Sequence, residues 1–145
     1  MIESILKEIS LHKDIERVLR QRGWKDFENF IAWIFEQHEF KAKTNFRFSH
    51  NGKRFEIDVV AENANIVFLV ECKRWRGKTH TRYALRKACK KHEERVKAFT
   101  EVFQKPKTIK GIIVTLLDAF AEEGEILLVP VCKLNWFLLN YHAFI

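Results

Sequence analysis

Apolar positions along the chain change their spacing several times, and each spacing predicts an element. Over residues 3–21, Leu6, Ile9, Ile15, Val18 and Leu19 stand among charges in a helical pattern that Gly23 can close. Asp26 then offers a cap to a second helix over about 27–39. Residues 41–50 and about 53–61 read as strands around Asn51-Gly52, a strong hairpin signal. After a turn at Asn63-Ala64-Asn65, a third strand runs over about 66–75. Gly77 breaks the pattern before a helix over about 80–104. Its apolar stripe is Leu85, Ala88, Cys89, His92, Val96, Phe99 and Phe103. Pro106 ends it, a strand follows over about 109–117, and the polar stretch 118–124 leads to another over 126–131. A short aromatic helix closes the chain. The order ααβββαββα predicts a single α/β domain, a central mixed β-sheet flanked by helices.

Composition narrows the class. With 145 residues, 47% of them hydrophobic, 13 Phe and 4 Trp, the chain can bury a core and is not of disordered type. No apolar run reaches the ~18 residues of a membrane span, and the start lacks the basic-then-apolar signal pattern. Cys72, Cys89 and Cys132 are odd in number and lack CxxC spacing. They argue against a disulfide scaffold or a four-ligand zinc site, and favour a reducing, cytoplasmic setting. The formal net charge is +7, and half of the 26 Lys and Arg fall within residues 73–107, against three acids there. Such a cluster fits a polyanion-binding surface and equally a solvated helix face.

The third strand carries the candidate chemistry. Residues 66–70 are Ile-Val-Phe-Leu-Val, an interior run, yet Glu71-Cys72-Lys73 follows at once. Residues two apart on a strand share a face, so Glu71 and Lys73 project together, with Val67 and Leu69 behind them. On the partner strand the same rule puts Glu56, Asp58 and Val60 on one face. A turn centred on Asn63-Ala64 sets Asp58 opposite Leu69 and diagonal to Glu71; one centred a residue later sets Asp58 directly opposite Glu71. Two carboxylates so close do not both ionise cheaply when partly buried, and a divalent cation between them removes the conflict. Oxygen ligands suit Mg²⁺, with the backbone carbonyl of Cys72 as a further donor. Lys73 is then placed to orient or deprotonate an attacking water, or to offset charge on a phosphate. The plain alternative is an ordinary acid–lysine bridge at a strand end. Glu28 adds a third acid, since its helical neighbours Trp24, Ile31, Ala32 and Phe35 are apolar. It is either a first-turn acid favoured by the helix dipole or a group reaching toward Asp58 and Glu71.

Glu28 in a helix, Asp58 in the second strand of a meander and Glu71-Cys72-Lys73 in the third resemble the PD-(D/E)xK (restriction-endonuclease-like) nuclease superfamily. The spacing is similar to that of archaeal Holliday-junction resolvases. The wording Ile57-Asp58 and Glu71-Cys72-Lys73-Arg74-Trp75 looks more like Mrr-type restriction nucleases. Ile57 stands where the naming proline would be, and no Gln-xxx-Tyr follows Lys73. The resemblance covers residues 24–131, leaving 1–22 as a helical addition and 132–145 as a C-terminal helix. It implies a metal-dependent DNA endonuclease, with Asp58, Glu71 and the Cys72 carbonyl binding Mg²⁺ or Mn²⁺ and Lys73 assisting the nucleophilic water. Glu28 would orient the water or help hold a second metal.

Arg74, Arg76, Lys78, Arg82, Arg86 and Lys90 are then the expected phosphate contacts, giving affinity without a sequence code. Lys41, Lys43, Arg47, Lys53 and Arg54 around the Asn51-Gly52 hairpin either reach a groove or are simply solvated. His80 is a candidate substrate contact, whereas His92 reads as a core histidine. Glu56 is an uncertain acidic neighbour, and Glu62 belongs to the turn. Trp136, Phe137, Tyr141 and Phe144 read as core or as a dimer contact. The expected partners are DNA and a second copy of the chain, with no membrane and no nucleotide cofactor. A junction-resolving or structure-selective nuclease is the first expectation. An Mrr-type restriction nuclease on duplex or modified DNA is the second, and a non-catalytic DNA-binding module the alternative from another class.

Overall fold

The computed structural model describes residues 1–12, 15–75, 82–116 and 121–145. Three helices, α1 (Ile2–His12), α2 (Ile15–Arg20) and α3 (Trp24–Gln37), precede a meander of β1 (Lys41–His50), β2 (Lys53–Glu62) and β3 (Ile66–Lys73). The long helix α4 (Arg82–Phe103) then leads to β4 (Thr108–Thr115), β5 (Ala121–Glu123), β6 (Ile126–Pro130) and α5 (Leu134–Asn140), with single 3₁₀ turns at Val131–Lys133 and Tyr141–Ala143. The six strands form one sheet in the order β1-β2-β3-β4-β6-β5. β1, β2 and β3 pair antiparallel, β3 pairs parallel with β4, β4 parallel with β6, and β5 antiparallel with β6. α4 is the crossover that a parallel β3–β4 pair requires. The result is the mixed sheet flanked by helices that the periodicities predict.

β3 sits between β2 and β4 and is buried on both faces along Ile66–Cys72, which explains its unbroken apolar run. Its even-numbered residues Ile66, Phe68, Val70 and Cys72 join the core under α3 and α5. Phe68 anchors that side, with ring centroids 5.7 Å from Phe35, 5.7 Å from Phe40, 5.8 Å from Phe137 and 5.3 Å from Tyr141. Val67 and Leu69 face the other way, onto Val60 and Phe99 of α4. Phe46 and Phe48 of β1 extend this second layer against Phe99 and Phe103. The C-terminal aromatic residues divide: Phe137 and Tyr141 are buried, Trp136 and Phe144 exposed. Among the described residues no helix is long and apolar enough to cross a membrane.

Turn chemistry sets both registers of the meander. Asn51 and Gly52 have φ of 50° and 78°, the left-handed pair that a two-residue hairpin needs. At the next turn Asn63 Oδ1 accepts from the backbone N–H groups of Asn65 at 2.8 Å and Ile66 at 2.9 Å. Glu62 consequently pairs with Val67 and Val59 with Val70, the second of the two registers considered above.

The helix predicted over 3–21 is described as α1 and α2, on either side of residues 13 and 14, which lie outside the described residues. Two details differ from expectation. Asp26 does not cap α3, which starts from Gly23 without a side-chain cap bond. Asp26 instead accepts from Arg22 Nη1 at 3.2 Å, while Arg22 Nη2 donates to Ser4 Oγ at 2.7 Å and pairs with Glu8, tying α1 to α3. The stretch 118–124, read as polar loop, contains β5. That edge strand is held by backbone pairing around Gly124 and needs no apolar alternation.

Phe68→Ala should lower the unfolding free energy by roughly 3–5 kcal/mol, as for other buried aromatic truncations. Leu139→Ala, at a position 65% exposed, should change it by no more than about 0.5 kcal/mol. Denaturant titration of both variants checks this.

Candidate active site

The β2–β3 ladder runs from Glu62–Val67 to Val59–Val70 and stops there. Beyond that pair, the Cys72 N–H donates to Asp58 Oδ2 at 2.8 Å, so a side-chain carboxylate stands where a backbone carbonyl would continue the ladder. The strands part at this point. The expected shared face of Glu56, Asp58 and Val60 does not survive. Ile57 packs with Val60, Leu69 and Phe99 on the α4 side, whereas Val59 and Ala61 lie in the α3-side core. Regular alternation would put Ile57 with Val59. The break coincides with Asn45, opposite on β1, at φ 51°, between the pairs Thr44–Val59 and Phe46–Ile57. Asn tolerates the left-handed conformation better than most residues, and the kink lets Asp58 turn into the gap toward β3.

Three acids belong to this gap. Glu28, Asp58 and Glu71 have relative exposures of 1%, 9% and 6%. Glu28 comes from α3; its carboxylate lies against the Trp24 side chain and the Asp58 carboxyl, but in neither contact does it meet the geometry of a full hydrogen bond. Its neighbouring cation, Lys25 Nζ, is 4.0 Å away and largely in solvent. Burial, and then the negative charge of Asp58, push the Glu28 carboxyl up from 4.5 to about 7. Glu71 is pushed up to about 8, first by burial and then by its hydrogen bond to the Asp58 carboxyl and that group's charge, against the pull of Arg95 and Lys73. Burial beside Asp58 matches the reading of Glu28 as an acid that reaches toward the pair.

Lys73 is half-buried at the end of β3. Cys72 turns its side chain into the α3-side core, where burial and then the surrounding carboxylates raise its thiol well above the usual range. Its main chain faces the gap: N–H and C=O of a strand residue point to the same side, so the carbonyl lies beside the N–H that Asp58 holds. Among the described residues no three Asp, Glu, His or Cys side chains are gathered tightly enough to cage a metal. The donor set fits a cation that keeps several waters: two carboxylates and one main-chain carbonyl, with the Glu28 carboxyl behind them.

Arg95 of α4 is a site residue that the sequence pattern missed. Its Nη1 lies 2.5 Å from Glu71 Oε2 and 3.5 Å from His92 Nδ1. His92 is the buried core histidine expected: Nε2 donates to the Leu69 carbonyl at 2.8 Å, and burial pushes the imidazole down to about 4. Arg95 was hidden because it lies on the polar side of α4; its spacing of three from His92 is the one signal that could have found it.

The expected phosphate contacts scatter. Arg74 Nη2 donates to the Arg20 carbonyl at 3.3 Å and so turns toward α2. Arg86 pairs with Glu123 at 3.3 Å. Arg82, Arg86 and Lys90 are exposed on α4, while Arg76, Lys78 and His80 lie outside the described residues. Glu56 pairs with Arg47 at 3.7 Å. Glu62 is held by Lys105 at 2.9 Å and Lys107 at 2.8 Å, at the other end of β2. Lys53, Arg54, Lys91 and Arg95 line a groove of about 260 Å³ between the β1–β2 hairpin and α4.

The model of the restriction endonuclease family Mrr_cat matches residues 19–127, most of the chain and all of the elements that build this gap. The chain belongs to the Mrr-type restriction endonuclease family. A relative in Archaeoglobus fulgidus, an uncharacterized protein, is 31% identical over 122 residues, 84% of this chain and 94% of that one. The crystal structure of a protein of unknown function superposes with a TM-score of 0.57 at 23% identity, over 81% of this chain and 65% of that chain, which supports the fold. This chain thus spans just under two thirds of that structure's length. A weaker likeness, with a TM-score of 0.48 and 14% identity over 83% of this chain and 70% of the other, runs to the small subunit of the heterodimeric restriction endonuclease R.BspD6I. Membership in the Mrr-type family accords with the strand wording around Asp58 and Glu71, and it makes the domain restriction-endonuclease-like.

Both Glu28 and Glu71 have raised values, so from the ordinary 4.5 upward the unfolded chain releases protons that the folded chain keeps. Their stabilisation is complete below that value and lost as pH rises toward neutrality. In EDTA the Tm should fall between pH 5 and 8, and Glu28→Gln should flatten the decline, gaining roughly 1–3 kcal/mol at pH 8. A slope unchanged in that variant would show that Glu28 does not titrate as described.

Proposed function

We propose that this Mrr-type chain is a divalent-metal-dependent DNA endonuclease whose site is the parting of β2 and β3. The observation that carries the proposal is the convergence of three buried acids, Glu28, Asp58 and Glu71, with Asp58 acting on both of the others. A purely DNA-binding surface gains nothing from acids set against a polyanion, whereas a cation site needs them.

Asp58 and Glu71, with the Cys72 carbonyl, would hold Mg²⁺, with Mn²⁺ as a substitute. Asp58 is pre-aimed, because the Cys72 N–H fixes Oδ2 and leaves Oδ1 for the ligand. When bound, such a cation makes water a stronger nucleophile at neutral pH and offsets charge on the scissile phosphate. Lys73, on the same strand face as Glu71, orients the attacking water in line with the leaving oxygen and balances the charge that builds on phosphorus. The water adds its oxygen to phosphorus and loses a proton to solvent, the bond to the leaving oxygen breaks, and that oxygen takes up a proton. Glu28, buried behind the pair, orients the water or supports a second cation.

Family membership favours duplex or modified DNA as substrate over the junction-selective role placed first on spacing. Cutting both strands takes two such sites, so a homodimer belongs to this reading.

The test is incubation with linear duplex, single-stranded DNA and a four-way junction in Mg²⁺, Mn²⁺ or EDTA. Duplex cleavage requiring the metal is expected. Asp58→Asn should abolish it and Lys73→Ala should slow it by roughly 10²–10⁴-fold. Incision of the junction alone would select the structure-specific reading. Tight binding with no cutting of any substrate would replace the enzyme by a binding module. Mn²⁺ should also raise the Tm of the wild type at pH 8, a shift that Asp58→Asn loses.

A further inference from the structure

A fourth charged group belongs to the gap, and it comes from the opposite layer. α4 packs on the face of the sheet that carries Val67 and Leu69, and Glu71 projects toward the same layer. From α4, Arg95 Nη1 reaches Glu71 Oε2 at 2.5 Å, with only 23% of the arginine side chain exposed. The guanidinium is itself held. His92, three residues earlier and fully buried, donates Nε2–H to the Leu69 carbonyl at 2.8 Å. That bond commits Nδ1 to being an acceptor, and Nδ1 lies 3.5 Å from Arg95 Nη1. A backbone carbonyl of β3 therefore orients the imidazole, the imidazole seats the guanidinium, and the guanidinium grips the carboxylate two residues farther along β3.

We propose that Arg95 is a positioning residue of the cation site: seated by His92, it fixes Glu71 Oε2 so that Oε1 is presented toward Asp58 and the metal. This rests on the metal-dependent reading above. The charge balance supports it. Three buried carboxyls in one neighbourhood carry more potential negative charge than a single divalent cation held by two of them offsets, and Arg95 and Lys73 are the cations on the Glu71 side that balance it. Rigidity supports it too, because Arg95 projects from a 22-residue helix through a buried histidine, so it is not a surface side chain free to swing. A planar guanidinium gripping one carboxylate oxygen is a common way to hold a metal ligand in its ligating rotamer, and losing such partners typically reduces metal affinity or activity 10- to 100-fold.

The test measures Mn²⁺ binding to the full chain without DNA, by calorimetry and by the electron paramagnetic resonance of free Mn²⁺, for wild type, Arg95→Gln and Arg95→Lys. DNA cleavage over a range of Mn²⁺ concentrations accompanies it. Arg95→Gln should bind Mn²⁺ roughly 10- to 100-fold more weakly. Its kcat should recover as Mn²⁺ is raised, with KM for DNA unchanged. Arg95→Lys, which keeps the charge but not the fork, should fall between. Equal or tighter Mn²⁺ binding by both variants overturns the proposal, as does a rise in KM for DNA alone, which would make Arg95 a phosphate contact. If Arg95→Gln fails to fold by thermal melt, the Arg95→Lys affinity decides. A wild type that binds no Mn²⁺ removes the metal-dependent reading and this inference together. Binding by the wild type that both variants match removes only the inference.

Discussion

The amide of Cys72 has two possible acceptors at the end of the β2–β3 ladder, a backbone carbonyl of β2 or the carboxylate of Asp58, and it takes the carboxylate. Everything at the site follows from that exchange. A continued ladder would close the two strands and send the Asp58 side chain out to one face. Ending the ladder on Oδ2 satisfies a buried donor that could not be left unpaired, holds one carboxylate in a charge-assisted bond, and opens a gap one residue from Glu71. The kink that permits this is shared by β2 and its neighbour β1: Ile57 changes layer on β2 while Asn45 adopts a left-handed φ on β1. The distortion is tolerated because β1 is the outer strand of the sheet, with no further neighbour to disturb.

Around this gap the fold assembles charge that opposes its own stability. Glu28 and Glu71 are buried near Asp58 and both carboxyls are raised. The same neighbourhood keeps Cys72 as a neutral thiol, so its contribution is confined to the main chain. The surrounding structure can bear this. β3 is sealed on both faces, by the Phe35–Phe40–Phe68–Phe137 aromatic group on one side and by Val60, Leu69 and Phe99 on the other. A rigid interior strand thus delivers a glutamate and a lysine to a partly desolvated edge, where each electrostatic contact is worth more than in water. Stability given up at one strand end is the usual signature of a site shaped by chemistry, and here the donors that would relieve it are oxygen atoms suited to a hard cation.

Much of this was legible in the chain. Alternation and helical spacing placed the meander, the crossover helix and the parallel return strand. The run Ile66–Val70 marked β3 as interior, and the apolar neighbours of Glu28 marked it as an acid out of place. His92 on the apolar stripe was legible as a core residue for the same reason. Other features were not. β5 escaped because an edge strand held by backbone bonds needs no apolar pattern. Arg74, expected to contact phosphate, also donates to the carbonyl of Arg20, a contact that no local pattern shows. Arg95 looked like one more cation on a basic helix, because spacing along α4 says nothing about which strand residue lies opposite.

The amino-acid sequence by itself determined most of the core strands and helices and, at the two turns, the chemistry that fixes their pairing, since those depend on local periodicity and turn residues. It therefore determined that Glu71 and Lys73 leave the end of a core strand and that Asp58 lies on the adjacent one. Only the tertiary structure decided how these groups meet. Long-range packing turned Asp58 out of its alternation into the gap, and brought Glu28 from α3 and Arg95 from α4 to opposite sides of one carboxylate pair. Those contacts join residues far apart in the chain, so their geometry follows from how whole layers pack and no local pattern carries it.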